Sequence, residues 1–158
     1  MILLDVNILV YAFHTEAESH VPVKKWLEDE ISSEEPYGLS DFVLSGFLRI
    51  VTHPKVFVEP SPLPNAMEFA SALRGRANAV SILPGARHWE IFVGLCRSAR
   101  VRGNLVPDAY LAALAIESGC EWITTDRDYA RFPGLRWRHP LESPPPRPRR
   151  RAAGRQGA

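Results

Sequence analysis

Several features that would move a chain out of the ordinary globular classes are scarce or missing in this sequence. Its two cysteines, Cys96 and Cys120, have no metal-ligand spacing and form no disulfide framework. Cys96 falls on the apolar stripe of a helical segment, so core packing is its reading. No apolar run approaches the roughly 18 residues of a membrane span. Met1 leads straight into Ile2-Leu3-Leu4-Asp5 with no basic leader and no small-residue cleavage site. A secretory signal is therefore not expected, and the chain reads as cytoplasmic. The five histidines, at 14, 20, 53, 88 and 139, share no ligand spacing, so none is a catalytic candidate. Acid is missing from the stretch Ser143 to Ala158, which holds five of the 19 Lys and Arg residues. The first 142 residues then carry 14 basic against 18 acidic residues, a balance of −4 behind the overall +1. A mildly acidic body does not attract nucleic acid by net charge. Any such substrate would need a local basic stripe, or acids bridged to phosphate by metal.

What is present suits one α/β domain. A chain of 158 residues buries roughly 68–70% of the surface its unfolded form exposes, enough for a core of its own. Ile2-Leu3-Leu4 reads as a buried strand, Val6 to Phe13 as an apolar helix, and His20 to Ser32 as a helix with Val23, Trp26, Leu27 and Ile31 on one face. Tyr37 to Ser40 is a second strand, followed by a helix from Asp41. Prolines 54, 60, 62 and 64 mark an irregular connection before a helix over 65–73. Ala79 to Leu83 is a third strand. The helix from Arg87 to Arg100 is expected to turn Trp89, Phe92, Val93 and Cys96 inward. Pro107 marks the next helix start, with Asp108 in its first turn. Ala109 to Ile116 is apolar all round, which implies a buried helix, and Gly119 ends it. Strands at Glu121 to Thr125 and Leu135 to Arg138 complete the pattern. Strands alternating with helices predict a parallel sheet covered on both faces. The domain is expected to span 1–142, with 143–158 a disordered basic Pro/Arg-rich tail.

Three acids carry the chemistry. Asp5 and Asp126 each follow a short hydrophobic strand directly, and ligands of open parallel sheets bind beyond the carboxyl ends of the strands. Asp108 arrives from the first turn of a helix too apolar to face water. Carboxylates gathered in a partly dry cleft repel one another and hold their protons, a penalty that a divalent cation removes. All-oxygen donors select hard ions such as Mg²⁺ or Mn²⁺, and such an ion activates water and neutralises charge on a phosphate. If the acids converge, metal-dependent phosphodiester hydrolysis follows. Two of them also have a plainer reading: Asp126 as a helix cap or turn residue, Asp108 as a complement to the helix dipole. Asp5, closing an apolar strand and opening an apolar helix, lacks one. Asp128 reads as a solvated turn residue.

These residues resemble a known family. Leu3-Leu4-Asp5-Val6-Asn7-Ile8-Leu9-Val10-Tyr11-Ala12 is similar to the opening of PIN-domain toxins of the VapC type. Leu105-Val-Pro-Asp108-Ala-Tyr-Leu-Ala-Ala-Leu-Ala115 resembles their third-acid helix, and Trp122-Ile-Thr-Thr-Asp126-Arg-Asp128-Tyr-Ala-Arg-Phe132 their fourth-acid segment. The resemblance runs over about residues 1 to 141. It implies a PIN-like three-layer α/β domain, a five-stranded parallel sheet flanked by helices. It also implies Mg²⁺-dependent endoribonuclease activity with Mn²⁺ as a substitute, a homodimer, and a small VapB-like antitoxin blocking the active-site groove. By position Asp5 and Asp108 match the principal metal ligands and Asp126 the further acid, bound directly or through water. Asn7 and Thr125 match polar residues that orient water or phosphate.

One departure stands out. The family places a glutamate on the third helix three residues before an Arg, and here Ser45-Gly46-Phe47-Leu48-Arg49 has Gly46 in that place. A helical Gly costs about 1 kcal/mol relative to Ala, so it is no default for an idle position. Asp41 is a candidate substitute, but it lies about 140° further round an ideal helix, and capping by Ser40 or Asp41 is the alternative. Three acids in place of four favour one held ion over two. Gly46 also motivates a rival within the fold, a catalytically weakened protein that binds RNA or its antitoxin. A haloacid-dehalogenase-like phosphatase would need an acid where Asn7 stands. Arg97, Arg100, Arg102, Arg127 and Arg131 are candidates for lining an RNA groove, with a solvated surface as their other reading.

Overall fold

A computed structural model describes residues 1–142. The tail expected to be disordered, 143–158, lies outside the described residues. In chain order the elements are β1 (Ile2–Leu4), α1 (Val6–Phe13), α2 (His20–Ile31), β2 (Tyr37–Leu39), α3 (Asp41–Val51), α4 (Leu63–Arg74), β3 (Ala79–Ser81), α5 (His88–Ser98), α6 (Leu105–Ser118), β4 (Glu121–Ile123), a 3₁₀ turn (Arg127–Arg131) and β5 (Trp137–Arg138). The sheet runs β3-β2-β1-β4-β5 with every pair parallel, as the alternation of strands and helices requires.

Strand β1 sits at the centre. Leu3 and Leu4 point to opposite faces by strand alternation, and both are wholly buried. Both faces of the sheet are therefore covered, as a parallel sheet needs. On β4 the consecutive pair Trp122 and Ile123 is equally buried. Helix α6 explains its own apolar sequence: Ala109 and the run Leu111 to Ala115 are all inside. Gly119 ends it in the left-handed region, at φ 67°.

The strands are shorter than their apolar runs. β3 stops at Ser81, and Leu83, expected within it, is exposed. β2 stops at Leu39 because Ser40 turns to cap α3, its hydroxyl accepting from the Phe42 N–H at 3.2 Å. β4 is assigned to Ile123, although the Thr124 N–H still donates to the Arg138 carbonyl at 3.2 Å while its side chain enters a network described below. Helix α6 begins two residues ahead of Pro107, which a first turn tolerates because its N–H groups have no helical partner.

Trp89 is a correction. Expected in the core, it is 69% exposed. The inner stripe of α5 is His88, Phe92 and Leu95, spaced i, i+4, i+7, and His88 fixes that rotation through its Nε2 and the Tyr110 carbonyl at 3.0 Å.

Gly38 marks the tightest backbone approach in the sheet. A Cβ there would stand 2.8 Å from Ile82 Cγ1 and 3.1 Å from the Ile2 carbonyl oxygen. Gly38→Val is expected to destabilise the protein by about 1–3 kcal/mol through overpacking. Urea unfolding should show a lower midpoint at unchanged slope.

Candidate active site

The chain winds from β1 out to β3, then returns to the other side of β1 as β4 and β5. The order of strands therefore reverses between β1 and β4, where open sheets leave a crevice at the carboxyl ends. Leu4 pairs with Ile123, so the next residues, Asp5 and Thr124, emerge side by side. The Asp5 N–H donates to the Ile123 carbonyl at 3.0 Å and ties the exit of β1 to β4.

Asp5 is 5% exposed and caps α1, with Oδ1 accepting from the Val6 N–H at 2.6 Å. Its Oδ2 accepts from the Thr124 hydroxyl at 2.6 Å and from Asn7 Nδ2 at 2.9 Å. Asn7 Nδ2 also reaches Thr124 Oγ1 at 2.9 Å, and its Oδ1 accepts from the Thr125 N–H at 3.2 Å. Thr124 Oγ1 accepts from the Asp126 N–H at 3.0 Å. One closed network thus fixes Asp5, Asn7, Thr124 and the backbone of Asp126.

A cavity of about 730 Å³ opens over this network. Asp5, Asn7, Asp108 and Asp126 line it, with Tyr129, Gly46 and Arg49 among the other residues of its wall. Asp108 comes from the first turn of α6, and Tyr129 Oη lies 3.5 Å from its Oδ1, a long contact. Asp126 both lines the cavity and caps the 3₁₀ turn, Oδ1 accepting from the Asp128 N–H at 2.8 Å. Its capping and cavity readings are therefore compatible.

The charges interact. Burial, more than any other influence, pushes the Asp5 carboxyl up to about 7, and repulsion from Asp108 and Asp126 adds to it. The hydrogen bonds from Thr124 and Val6 oppose the rise. Asp108 is raised by burial first and by Asp126 second. Tyr129 is held protonated by its burial and by the three aspartates, so it serves as a donor. Among the described residues, no three Asp, Glu, His or Cys side chains form a ready-made metal-holding group. The three acids share a cavity and one another's field without being closed round a single point. The donor chemistry nonetheless fits a hard divalent cation: a buried carboxylate whose ionisation two neighbours oppose is relieved by positive charge.

Other expected residues fall elsewhere. Asp41 does not line the cavity; it is exposed and pairs with Arg74 at 3.2 Å, and Ser40 is the cap. Asp41 therefore does not stand in for the missing acid. Asp128 is exposed and pairs with Arg131 at 3.2 Å. Gly46 lies on the wall, where a Cβ would meet Val6 Cγ2 at 2.9 Å, and Asp5, Asp108 and Asp126 are the acids of that wall. Thr125 contributes its backbone N–H, whereas the hydroxyl at the site belongs to Thr124, a residue that β1–β4 register alone identifies. Arg97, Arg100, Arg102, Arg127 and Arg131 are absent from the wall, and its cation is Arg49.

The PIN-domain profile matches residues 2–135. The chain belongs to the VapC family of PIN-domain proteins. It is 42% identical over 142 residues to Ribonuclease VapC43 of Mycobacterium tuberculosis, covering 90% of this chain and 97% of that one. Among solved structures, VapBC2 from Rickettsia felis bound to a promoter DNA fragment superposes with a TM-score of 0.64 at 19% identity, covering 88% and 98% of the chains. A toxin–antitoxin complex from Klebsiella pneumoniae gives 0.59 at 22% identity, covering 90% and 100%. The two superpositions bear on the fold. No helix among the described residues is long and apolar enough to cross a membrane.

The raised Asp5 carboxyl predicts a pH dependence of the metal-free protein. The unfolded chain ionises this group near 3.8 and the folded chain near 7, so stability present below 3.8 is lost as pH rises through that interval. The loss is at most about 1.4 kcal/mol per pH unit. Urea titrations of the wild type minus those of Asp5→Asn should isolate this slope, and a difference that does not change between pH 4 and 7 contradicts it.

Proposed function

We propose that this protein is a divalent-metal-dependent endoribonuclease and the toxin of a type II toxin–antitoxin pair. The observation that carries the reading is the meeting of Asp5, Asp108 and Asp126 on one cavity at the sheet's switch point, with Asp5 held up to about 7. The names of the relatives support the ribonuclease half, and the Klebsiella neighbour's description as a toxin–antitoxin complex supports the partner half.

In this reading Asp5 and Asp108 hold Mg²⁺, for which Mn²⁺ can substitute, and Asp126 contributes directly or through water. When bound, the ion supplies Lewis acidity and lowers the pKa of a coordinated water. Three acids without a fourth at Gly46 favour one ion. Asn7 and Thr124 hold Asp5 Oδ2 in place beside the cavity, the work that partners of metal ligands do elsewhere. Tyr129 keeps its proton and donates toward Asp108. A VapB-like antitoxin covers this groove, and the toxin works as a homodimer.

A second reading rests on Gly46: a catalytically weakened protein that binds RNA or its antitoxin through the same cavity. Purified antitoxin-free protein is expected to cleave RNA with Mg²⁺ or Mn²⁺ and to stop when EDTA is added. Thr124→Val should lower activity or metal affinity about 10–100-fold, the range for partners of metal ligands, and Asp5→Asn and Asp108→Asn should lower it further. Isothermal titration with Mg²⁺ and gel assays of labelled RNA measure both. RNA bound equally with and without metal, and never cut, selects the second reading.

A further inference from the structure

All strands of the sheet are parallel, so each hands its next residue to the same edge. Leu4 is in register with Ile123, and Ile123 with Arg138. Asp5, Thr124 and His139 therefore leave the sheet at one level. β5 lies two strand spacings from β1, roughly 10 Å, so the carboxyl-terminal segment departs from the edge that carries the acids. A turn follows, in which the Glu142 N–H donates to the His139 carbonyl at 3.1 Å. The Glu142 carboxylate then pairs with Arg127 at 2.8 Å, and Arg127 directly follows Asp126 of the cavity wall. The last described residue is thus tied beside the acid site.

The arginines on this side of the body are already neutralised. Arg127 pairs with Glu142, Arg131 with Asp128, and Arg138 with Glu121 and Glu30. With 14 basic against 18 acidic residues in the first 142, a polyanion gains nothing from the net charge of the body. The sequence that follows supplies what the body lacks. Residues 143–158 contain Arg147, Arg149, Arg150, Arg151 and Arg155 and no acid. All five cations are arginines, whose planar fork bonds phosphate oxygens in pairs. The same stretch has no Leu, Ile, Val, Met, Phe, Trp or Tyr, so it has no large apolar side chain to bury in an acyl layer. The PIN profile ends at residue 135, which leaves these arginines outside the shared domain.

We propose that residues 143–158 serve as an RNA-binding arm, holding the phosphate backbone of the substrate beside the cavity without reading its sequence. The choice of RNA as the polyanion rests on the ribonuclease reading of that cavity. An arm of sixteen residues reaches at most about 55 Å. Its attachment beside Asp126 makes delivery of a captured strand to the acids an intramolecular event. Contacts remote from the reacting bond hold substrate and transition state equally, so the arm acts on KM and not on kcat.

The test combines Arg147→Gln, Arg149→Gln, Arg150→Gln, Arg151→Gln and Arg155→Gln in one full-length protein, with a second variant carrying Lys at the same five positions. Binding of a labelled thirty-nucleotide RNA is followed by anisotropy in EDTA across a salt series. The glutamine variant should bind more weakly and lose about 3.5 from the slope of log K against log salt, the share of five phosphate contacts on a single strand. The advantage of the wild type should shrink about tenfold with each doubling of salt. RNAs of unrelated sequence should show the same loss, and the lysine variant should keep the wild-type slope. In Mg²⁺ at low salt the glutamine variant should raise KM about tenfold at unchanged kcat.

An unchanged affinity and slope in the glutamine variant overturn the proposal. Tighter RNA binding or faster cleavage by that variant overturns it too, because the arm then occupies its own acid site. Arginine-dependent binding to vesicles of phosphatidylcholine and phosphatidylserine at seven to three, with RNA affinity unaltered, assigns the arm to a membrane and overturns it likewise. Arginine-dependent RNA binding without any cleavage in Mg²⁺ or Mn²⁺ sustains the arm and removes the nuclease reading. Cleavage with an unaltered KM does the reverse.

Discussion

A carboxylate almost cut off from water lies at the end of the central strand, and its confinement organises the surrounding residues. Asp5 stays inside because three donors, from Val6, Asn7 and Thr124, satisfy its oxygens. Val6 and Asn7 are in place because α1 starts directly after Asp5, and Thr124 because β1 and β4 are neighbours in register. The same confinement leaves Asp5 reluctant to ionise beside Asp108 and Asp126. A site built this way is unfavourable in its fully charged, metal-free form, and positive charge lowers its free energy. Stability and ion affinity are thus linked through one group.

The helices divide the remaining work. Helix α6 is buried along most of its length, so Asp108 in its first turn is carried on a packed element, with the long Tyr129 contact as its polar partner. Helix α3 is amphipathic, and one of its stripes forms part of the same cavity wall as the acids. Gly46 and Val6 meet closely there: a Cβ at position 46 would press on a Val6 methyl. Where the family carries a glutamate, this chain has a small residue fitted against the first turn of α1. The wall of α3 consequently carries a cation, Arg49, and no acid.

Most of the architecture was legible from local pattern. Apolar runs ending in acids marked β1 and β4, and the apolar helix behind Pro107 marked α6, because buried elements of a parallel sheet must be apolar on every side. Boundaries were less legible. Ser40, Thr124 and Leu83 each extend a strand-like run, but Ser40 turns to cap α3 and Leu83 lies exposed beyond β3, and local sequence does not disclose where pairing stops. Trp89 was misplaced for a related reason. Its helix can be rolled so that either Trp89 or Leu95 faces inward, and His88, bonded to Tyr110 of another helix, decides the roll.

Residue order alone determined that acids would stand at the ends of two hydrophobic strands and in the first turn of a buried helix, since hydrophobic periodicity and chain punctuation are local properties. Tertiary structure decided which neighbours those acids acquired. Strand register chose Thr124 over Thr125, helix position turned Asp41 toward Arg74, and the facing of α3 brought Arg49 and Phe42 to the cavity. Each of those outcomes depends on contacts between segments distant in the chain, up to 119 residues for Asp5 and Thr124, and a local pattern carries no record of them.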